Sequence, residues 1–389
     1  MIWGVASLRI ALLTYSTRPR GGVVHTLALA EALARAGQTV TVWTLARGGD
    51  SGFFRDVDPV VRIRAVPFPD QADEGVGPRV QRSIAVLAAA VAAAGEDYDV
   101  VHAQDCITAN AVPGRLRTVH HLDHFTTPEL AACHQRALLE PCAHVCVSAA
   151  VAAELEAETG IRATVIPNGV ESARFAAAAA DDPAATKKRQ EWVDQFGSYV
   201  LAVGGIEPRK GTLDLVRAMV RVRRRRPGTR LVVAGGDTLF DYRDYRRQVD
   251  LLADRLKVEP VVLGPVPQDD LPSLVAAAAV FAFPSVQEGF GLAAMEALAA
   301  GVPVVARDLP VLHEVFAGTV RFAAGGDGSP GVAVDGLSAG LMAALEDPGN
   351  PYAEPGRRLA ARHSWDDAAT AHLELYRRLI AEGRPVGTA

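Results

Sequence analysis

PSVQEGFGLAAMEALAAGVPVVA, residues 284–306, is the stretch from which the rest of this sequence can be ordered. Its front end continues the apolar run VFAFPS (280–285), which reads as a buried strand, and its tail PVVARD (303–308) reads as the next strand. Between them, a loop carrying Gly289 and Gly291 opens a helix that starts near Gly291. Strand, glycine loop and helix in that order make one unit of a parallel sheet with crossover helices. The glycines let the backbone come close to a ligand. The free N–H groups of Leu292 and its neighbours then point at whatever sits before the helix, a favourable seat for phosphate oxygens. Glu288 falls in the loop and Glu296 about one and a half turns into the helix. Both carboxylates can therefore address one bound molecule from opposite ends. A carboxylate accepts paired hydrogen bonds from vicinal hydroxyls, as a sugar or a ribose offers.

The same grammar runs outward in both directions. Upstream, RIALLTY (9–15) reads as a strand, followed by a loop with Gly21 and Gly22 and a helix-period segment at 25–37. Further strands are expected at 39–45, 62–68, 98–104, 117–121, 143–148 and 163–167, with helices clearest at 79–94 and 149–158. A second start comes at YVLAVGG (199–205). It continues through a helix at 212–225, strands at 230–236, 261–266, 280–285, 303–308 and 320–324, and a helix within 242–255. The Ala-, Asp- and Pro-rich stretch between the two series reads as a connection. The expected organisation is α/β. A Rossmann-like doubly wound domain spans 1–170, a connection 171–198, a second Rossmann-like domain 199–364, and a helical segment 365–389 docks on the first domain. Two such domains facing each other would place both sets of strand C-terminal ends at one central cleft, where open α/β sheets bind ligands.

Composition narrows the function classes. At 389 residues the chain exceeds one ordinary core of about 100–200 residues, and 49% hydrophobic content supplies two packed interiors. With 40 basic and 45 acidic residues the net charge is −5, which argues against a nucleic-acid binder. The run RVRRRR (221–226) reads as a solvated helix end, and alternatively as a peripheral contact with anionic lipid. The first ten residues lack the pattern of a signal peptide, and no uncharged apolar run is long enough to cross a bilayer. A cytoplasmic protein is expected, with any membrane contact peripheral and on the inner face. The four cysteines, Cys106, Cys133, Cys142 and Cys146, match no zinc spacing and read as reduced thiols. No catalytic metal is expected, and no Gly-x-Gly-x-x-Gly fingerprint calls for NAD.

Taken together, strand, Glu288, Gly-Phe-Gly, helix and Glu296 resemble the retaining glycosyltransferase family 4, which has the GT-B architecture and a Glu-x7-Glu motif. The resemblance extends to RPRGGVVHTLALAEALARAGQTVTVWT (18–44), DVVHAQD (99–105), VIPNGV (165–170), VGGIEPRKG (203–211) and SWDDAATAHLELYRRL (364–379). It implies a nucleotide-diphosphate sugar as donor substrate, with no separate cofactor. It further implies that Glu296 holds the donor's ribose and Glu288 hydroxyls of the donor sugar. Backbone groups at Gly289, Phe290, Gly291 and Leu292 would contact sugar and diphosphate, and Val266 would read the base. Lys210 would neutralise the departing phosphates, Gly21 and Gly22 would bring N–H groups to the diphosphate, and His120 would face the donor sugar. His121, Asp123 and His124 follow it directly, and His102 is a further candidate that packing alone would explain.

Many family members carry an arginine directly after the glycine that ends the strand, where this chain has Gly205. Arg209, next to Lys210, is the nearest replacement cation. The expected function is transfer of a hexose, with retention, to an acceptor of unassigned type: small molecule, glycan or lipid. A nucleotide-sugar epimerase on the same architecture and a non-catalytic nucleotide-sugar binder are the alternatives.

Overall fold

A computed structural model describes residues 7–49, 52–123, 125, 127–235, 242–323, 330–347 and 349–388, with backbone alone at 330–332. Gly236, at the end of one expected strand, lies outside the described residues, as do Ala324 and His124. The chain divides into two compact units, Met1–Gly169 with Trp365–Ala389, and Val170–Ser364.

In the first unit the strands are β1 Arg9–Leu13, β2 Thr39–Arg47, β3 Arg62–Phe68, β4 Val100–Ala103, β5 Leu116–Val119, β6 Ala143–Cys146 and β7 Thr164–Val165. Among the described residues they form a seven-stranded sheet in the order β3-β2-β1-β4-β5-β6-β7, parallel throughout. β1 and β4 are buried along nearly their whole length. That explains why these strands read as continuous apolar runs and not as alternating ones. The C-terminal helix Trp365–Ala381 belongs to this unit and packs on the helix Gly21–Arg35. It buries Leu373, Leu375 and Tyr376 on the stripe that its periodicity marks.

The second unit carries β8 Tyr199–Val203, β9 Arg230–Ala234, β10 Val261–Gly264, β11 Val280–Phe283, β12 Val304–Arg307 and β13 Arg321–Ala323. Their order is β10-β9-β8-β11-β12-β13, again parallel. The strand order reverses between β1 and β4 in one sheet and between β8 and β11 in the other. At such a switch point the loops leaving adjacent strands diverge to opposite faces and open a crevice at the strand C-terminal ends.

The stretch 171–198 is not a bare connection. It forms the helices Ser172–Ala178 and Pro183–Phe196, both within the second unit. Asp182 caps the latter by accepting from the N–H groups of Ala184 and Ala185, with Pro183 in the first turn. Buried Phe175 and Phe196 anchor the pair. The Asp-Pro dipeptide that resembles linker composition is thus a helix start.

Candidate active site

In the second unit, the loops after β8 and β11 meet at the switch point. The first winds through Gly204 and Gly205 into a short turn, Pro208–Lys210, and the helix Thr212–Arg225. The second runs from Pro284 to Gly291 and enters the helix Leu292–Ala299. They are tied together by the Val286 N–H, which donates to the Arg209 carbonyl at 2.7 Å. A second tie runs through Arg307, whose Nε donates to the Pro284 carbonyl (2.8 Å) and whose Nη2 pairs with Asp214 (2.7 Å). Gly211 has φ +64°, and a Cβ there would lie 2.2 Å from the Pro284 oxygen. Gly211→Ala should therefore destabilise the protein by about 2–4 kcal/mol, from left-handed strain plus overpacking. Thermal unfolding measures it, and a Tm unchanged within a degree would contradict the close approach.

The side chains converge on Glu288. Lys210 Nζ lies 2.5 Å and Arg209 Nη1 3.6 Å from its Oε1, while Arg209 Nη2 holds Glu207 at 2.6 Å. Burial pushes the Glu288 carboxyl up, but Lys210 and then Arg209 outweigh it and hold it at about 2. Burial lowers Lys210 from the ordinary lysine range, and Glu288 offsets part of that. The lysine stem runs so close to Gly204 that a Cβ added there would stand 3.3 Å from Cε, and Nζ sits 5.4 Å from the Phe283 ring centroid. The cation is held on three sides. Arg209 thus both pairs with Glu207 and reaches the Lys210–Glu288 cluster.

Gly291 begins the helix at φ +99°, against Phe316 and Phe283, so only glycine fits without displacing a ring. The N–H groups of Leu292, Ala293 and Ala294 have no intrahelical partner by helix geometry. Phe290 is buried against His363, which leaves its backbone as the group a ligand can use. Glu296, one turn beyond Leu292, leans back toward the helix start. Burial, then the charge of Glu171, raises its carboxyl to about 8 against the pull of Arg174. Arg174 also donates to the Gln268 carbonyl and to its Oε1 (3.1 Å), pinning the loop after β10. Val266 lies in that loop, and its backbone N–H and C=O make no hydrogen bond to described residues.

In the first unit, a Cβ on Gly22 would lie 3.6 Å from His120 Nε2, so the glycine loop and that histidine adjoin. His120 Nε2 is buried and without a hydrogen-bond partner. Burial, then the charges of His121 and Arg117, lowers its pKa to about 3, so it stays neutral. His25 stands edge-on to it at 4.8 Å and shares a 2.8 Å hydrogen bond with Asn168 of the VIPNGV segment. His102 is a satisfied core residue, bonded to Tyr376 and Thr118, both at 2.8 Å. His121 pairs with Asp123 at 3.2 Å.

Comparison with known proteins follows the same residues. A profile described as Glycosyltransferase Family 4 matches residues 19–174, and one described as Glycosyl transferases group 1 matches 185–362. D-inositol 3-phosphate glycosyltransferase of Salinispora arenicola is 30% identical over 97% of this chain and 93% of its own length. The chain belongs to the family 4 glycosyltransferases. Phosphatidyl-myo-inositol mannosyltransferase of Mycobacterium tuberculosis is 29% identical, over 98% of this chain and all of the relative. Among solved structures, sucrose-phosphate synthase of Thermosynechococcus elongatus superposes with TM-score 0.76 at 22% identity, covering 96% of this chain and 100% of that one. HepE of Anabaena, in complex with UDP and glucose, gives 0.70 at 18%, with the same coverage. The two Rossmann-like units of this glycosyltransferase are those of the GT-B architecture.

Several features of this glycosyltransferase were not visible as motifs. Arg307 and Asp214 lock the loops after β8 and β11 together, and Arg174 with Gln268 sets the loop carrying Val266. Each lies at or just beyond a strand C-terminal end or on a helix facing it, and that position is the signal which could have marked them. In the arginine run, Arg221 pairs with Asp335 at 2.5 Å and Arg225 with Glu346 at 3.8 Å, as expected of a solvated helix end. Among the described residues, no helix is long and apolar enough to cross a membrane, and no group of three or more His, Cys, Asp or Glu is placed to hold a metal ion.

Proposed function

We propose that this glycosyltransferase moves a hexose from a nucleotide-diphosphate sugar to an acceptor hydroxyl, with retention of anomeric configuration and without a metal. The observation that carries the reading is the 2.5 Å contact of Lys210 with Glu288, with Arg209 beside it. It puts a carboxylate suited to sugar hydroxyls next to two cations suited to phosphate, matching the two sides of a sugar–phosphate bond. In the reaction the bond from the anomeric carbon to the phosphate oxygen breaks and its electron pair leaves with the diphosphate. The acceptor oxygen forms the new bond, and its proton passes to the departing phosphate. Negative charge grows on that phosphate, and Lys210, Arg209 and the amides of the helix after Gly291 are preorganised to meet it. Glu296 takes the ribose hydroxyls, the Val266 backbone takes the base, and neutral His120 is the hydrogen-bonding group assigned to a sugar hydroxyl.

Incubation with UDP-, GDP- and ADP-linked glucose and mannose tests the reading. Release of nucleoside diphosphate from at least one donor, and a product with the donor's anomeric configuration by NMR, is the expected result. A nucleotide sugar that raises Tm without turnover, or is epimerised without diphosphate release, would overturn it.

The two glutamates should separate by ligand. Glu296→Ala should weaken binding of free nucleoside diphosphate by about 1–3 kcal/mol, through the ribose hydroxyls left unpaired. Glu288→Ala should alter preference among sugars more than among nucleotides. Equal losses in calorimetry would contradict the division. Wild-type affinity should also rise as pH passes through about 8, where Glu296 ionises and becomes a two-oxygen acceptor. Glu296→Gln should abolish that rise.

A further inference from the structure

Two segments that carry the family resemblance, VIPNGV (165–170) and SWDDAATAHLELYRRL (364–379), have no part in the reaction as proposed. Both lead to His25. Gly22 and His25 are three residues apart in the helix Gly21–Arg35, so they share a face. Both adjoin His120. A Cβ on Gly22 would lie 3.6 Å from His120 Nε2, and the His25 and His120 rings stand edge-on at 4.8 Å. His25 Nδ1 donates to Asn168 Oδ1 at 2.8 Å, and the Trp365 ring is edge-on to His25 at 5.3 Å. His25, Asn168 and Trp365 are all buried. The chain leaves the first unit after Gly169 and re-enters it at Trp365. A single imidazole thus touches the chain next to both crossings and also touches the histidine assigned to the donor sugar.

The hydrogen bonds fix which nitrogen of each ring carries the proton. His120 bonds to the Gln104 backbone, whose N–H is already donated to the Leu13 carbonyl, so the Gln104 carbonyl accepts from the ring. Nε2 of His120 has no partner among the described residues, so the donor is Nδ1, and Nε2 carries a lone pair on the side of Gly22. That lone pair meets a sugar hydroxyl in one ring orientation. Gln104 anchors one edge of the ring, and the His25 ring bears on it from the helix. With Nδ1 of His25 donating to Asn168, its Nε2 is an acceptor too, buried and without a partner among the described residues. An unpartnered ring nitrogen is a buried polar group that an apolar ring would not leave here. Burial, then the charges of His120 and His372, lowers His25 well below the ordinary histidine range, so it packs as a neutral ring.

We infer that His25 is a positioning residue for the transfer. It holds the His120 ring at the angle that aims Nε2 at a hydroxyl of the donor sugar, and it takes its own position from Asn168 and Trp365. The inference rests on the assignment of His120 to the sugar and adds the residue through which the two outlying segments act on it. His25 touches no substrate in this role. A shift of the chain at either crossing reaches His120 through one ring.

A kinetic double-mutant cycle on the full chain tests it, with whichever UDP-, GDP- or ADP-linked sugar the wild type turns over. His25→Asn keeps an N–H for Asn168 where Nδ1 stood and removes the ring from His120. It should lower kcat by about tenfold, the order of loss expected when a reacting group is displaced by a fraction of an ångström. Affinity for free nucleoside diphosphate should stay at the wild-type value. His25→Phe keeps a ring against His120 without the Asn168 anchor and should fall between. In a His120→Ala background neither change should lower kcat further, because the group being positioned is gone. If His25→Asn does not fold, Asn168→Ala carries the cycle, with a smaller loss that again vanishes in His120→Ala. A lower Tm with kcat per folded molecule unchanged would overturn the inference by leaving His25 a packing residue. Losses that multiply in the double variants, or unchanged turnover in His120→Ala, would overturn it as well. Wild-type release of nucleoside diphosphate reports the transferase reading separately. Absence of release from every donor overturns both, whereas release with multiplying losses overturns this inference alone.

Discussion

Lys210→Ala should lower turnover by about 10²–10³, the usual loss when one preorganised charge is removed from a developing anion. The same substitution leaves Glu288 buried with only Arg209, at 3.6 Å, to balance it. A stability loss should accompany the rate loss, because removing one member of a buried ion pair strands the other. The two effects can be separated. In wild type the Glu288 pKa is depressed from 4.5 to about 2, so its pairing contributes stability above pH 4.5 that is lost as pH falls toward 2. That acid-labile part should shrink in Lys210→Ala. The double variant Lys210→Ala/Glu288→Gln should regain stability and remain inactive. Near-normal turnover at saturating donor would remove Lys210 from the mechanism.

Arg209→Ala should cost almost as much rate as Lys210→Ala. A departing diphosphate carries more charge than one lysine offsets, and Arg209 is the adjacent cation, held 2.6 Å from Glu207 and 3.6 Å from Glu288. Gly205→Arg should restore part of the loss, since Gly205 is the second residue past the end of β8 and, unlike Gly204, is not in the left-handed backbone region. An unchanged rate in Arg209→Ala across donors would confine Arg209 to holding Glu207. Lys210 and the helix after Gly291 would then supply the charge stabilisation within the second unit.

The local pattern alone marked much of this molecule. Gly291 announces a helix start because the left-handed backbone, wedged between two phenylalanine rings, excludes every side chain. The placement of Glu288 in a loop and of Glu296 in the following helix is legible from spacing alone, since Gly291 marks where one ends and the other begins. Apolar runs gave the strands to within a few residues, because strands buried on both faces leave no polar positions to blur them. The stretch 171–198 was the exception. Its alanines and Asp-Pro pair have the composition of a linker, and burial of Phe175 and Phe196 against the rest of the second unit makes them helices.

The tertiary structure decided which distant groups meet. Lys210 and Glu288 are 78 residues apart and touch because β8 and β11 are neighbours across the strand-order reversal. Tyr15 reaches Asp105 by the same logic of sheet order, since β1 and β4 are neighbours. Arg174 reaches Gln268 because the helix Ser172–Ala178 packs on the helix Leu271–Ala276. Arg20 precedes the helix Gly21–Arg35 and Arg47 ends β2, and no spacing rule joins them; both lie against the Tyr15 ring. Periodicity is a property of neighbouring residues, so a sequence displays it directly. Charge pairing across a crevice depends on the order in which strands enter the sheet, and that order is set by long-range packing.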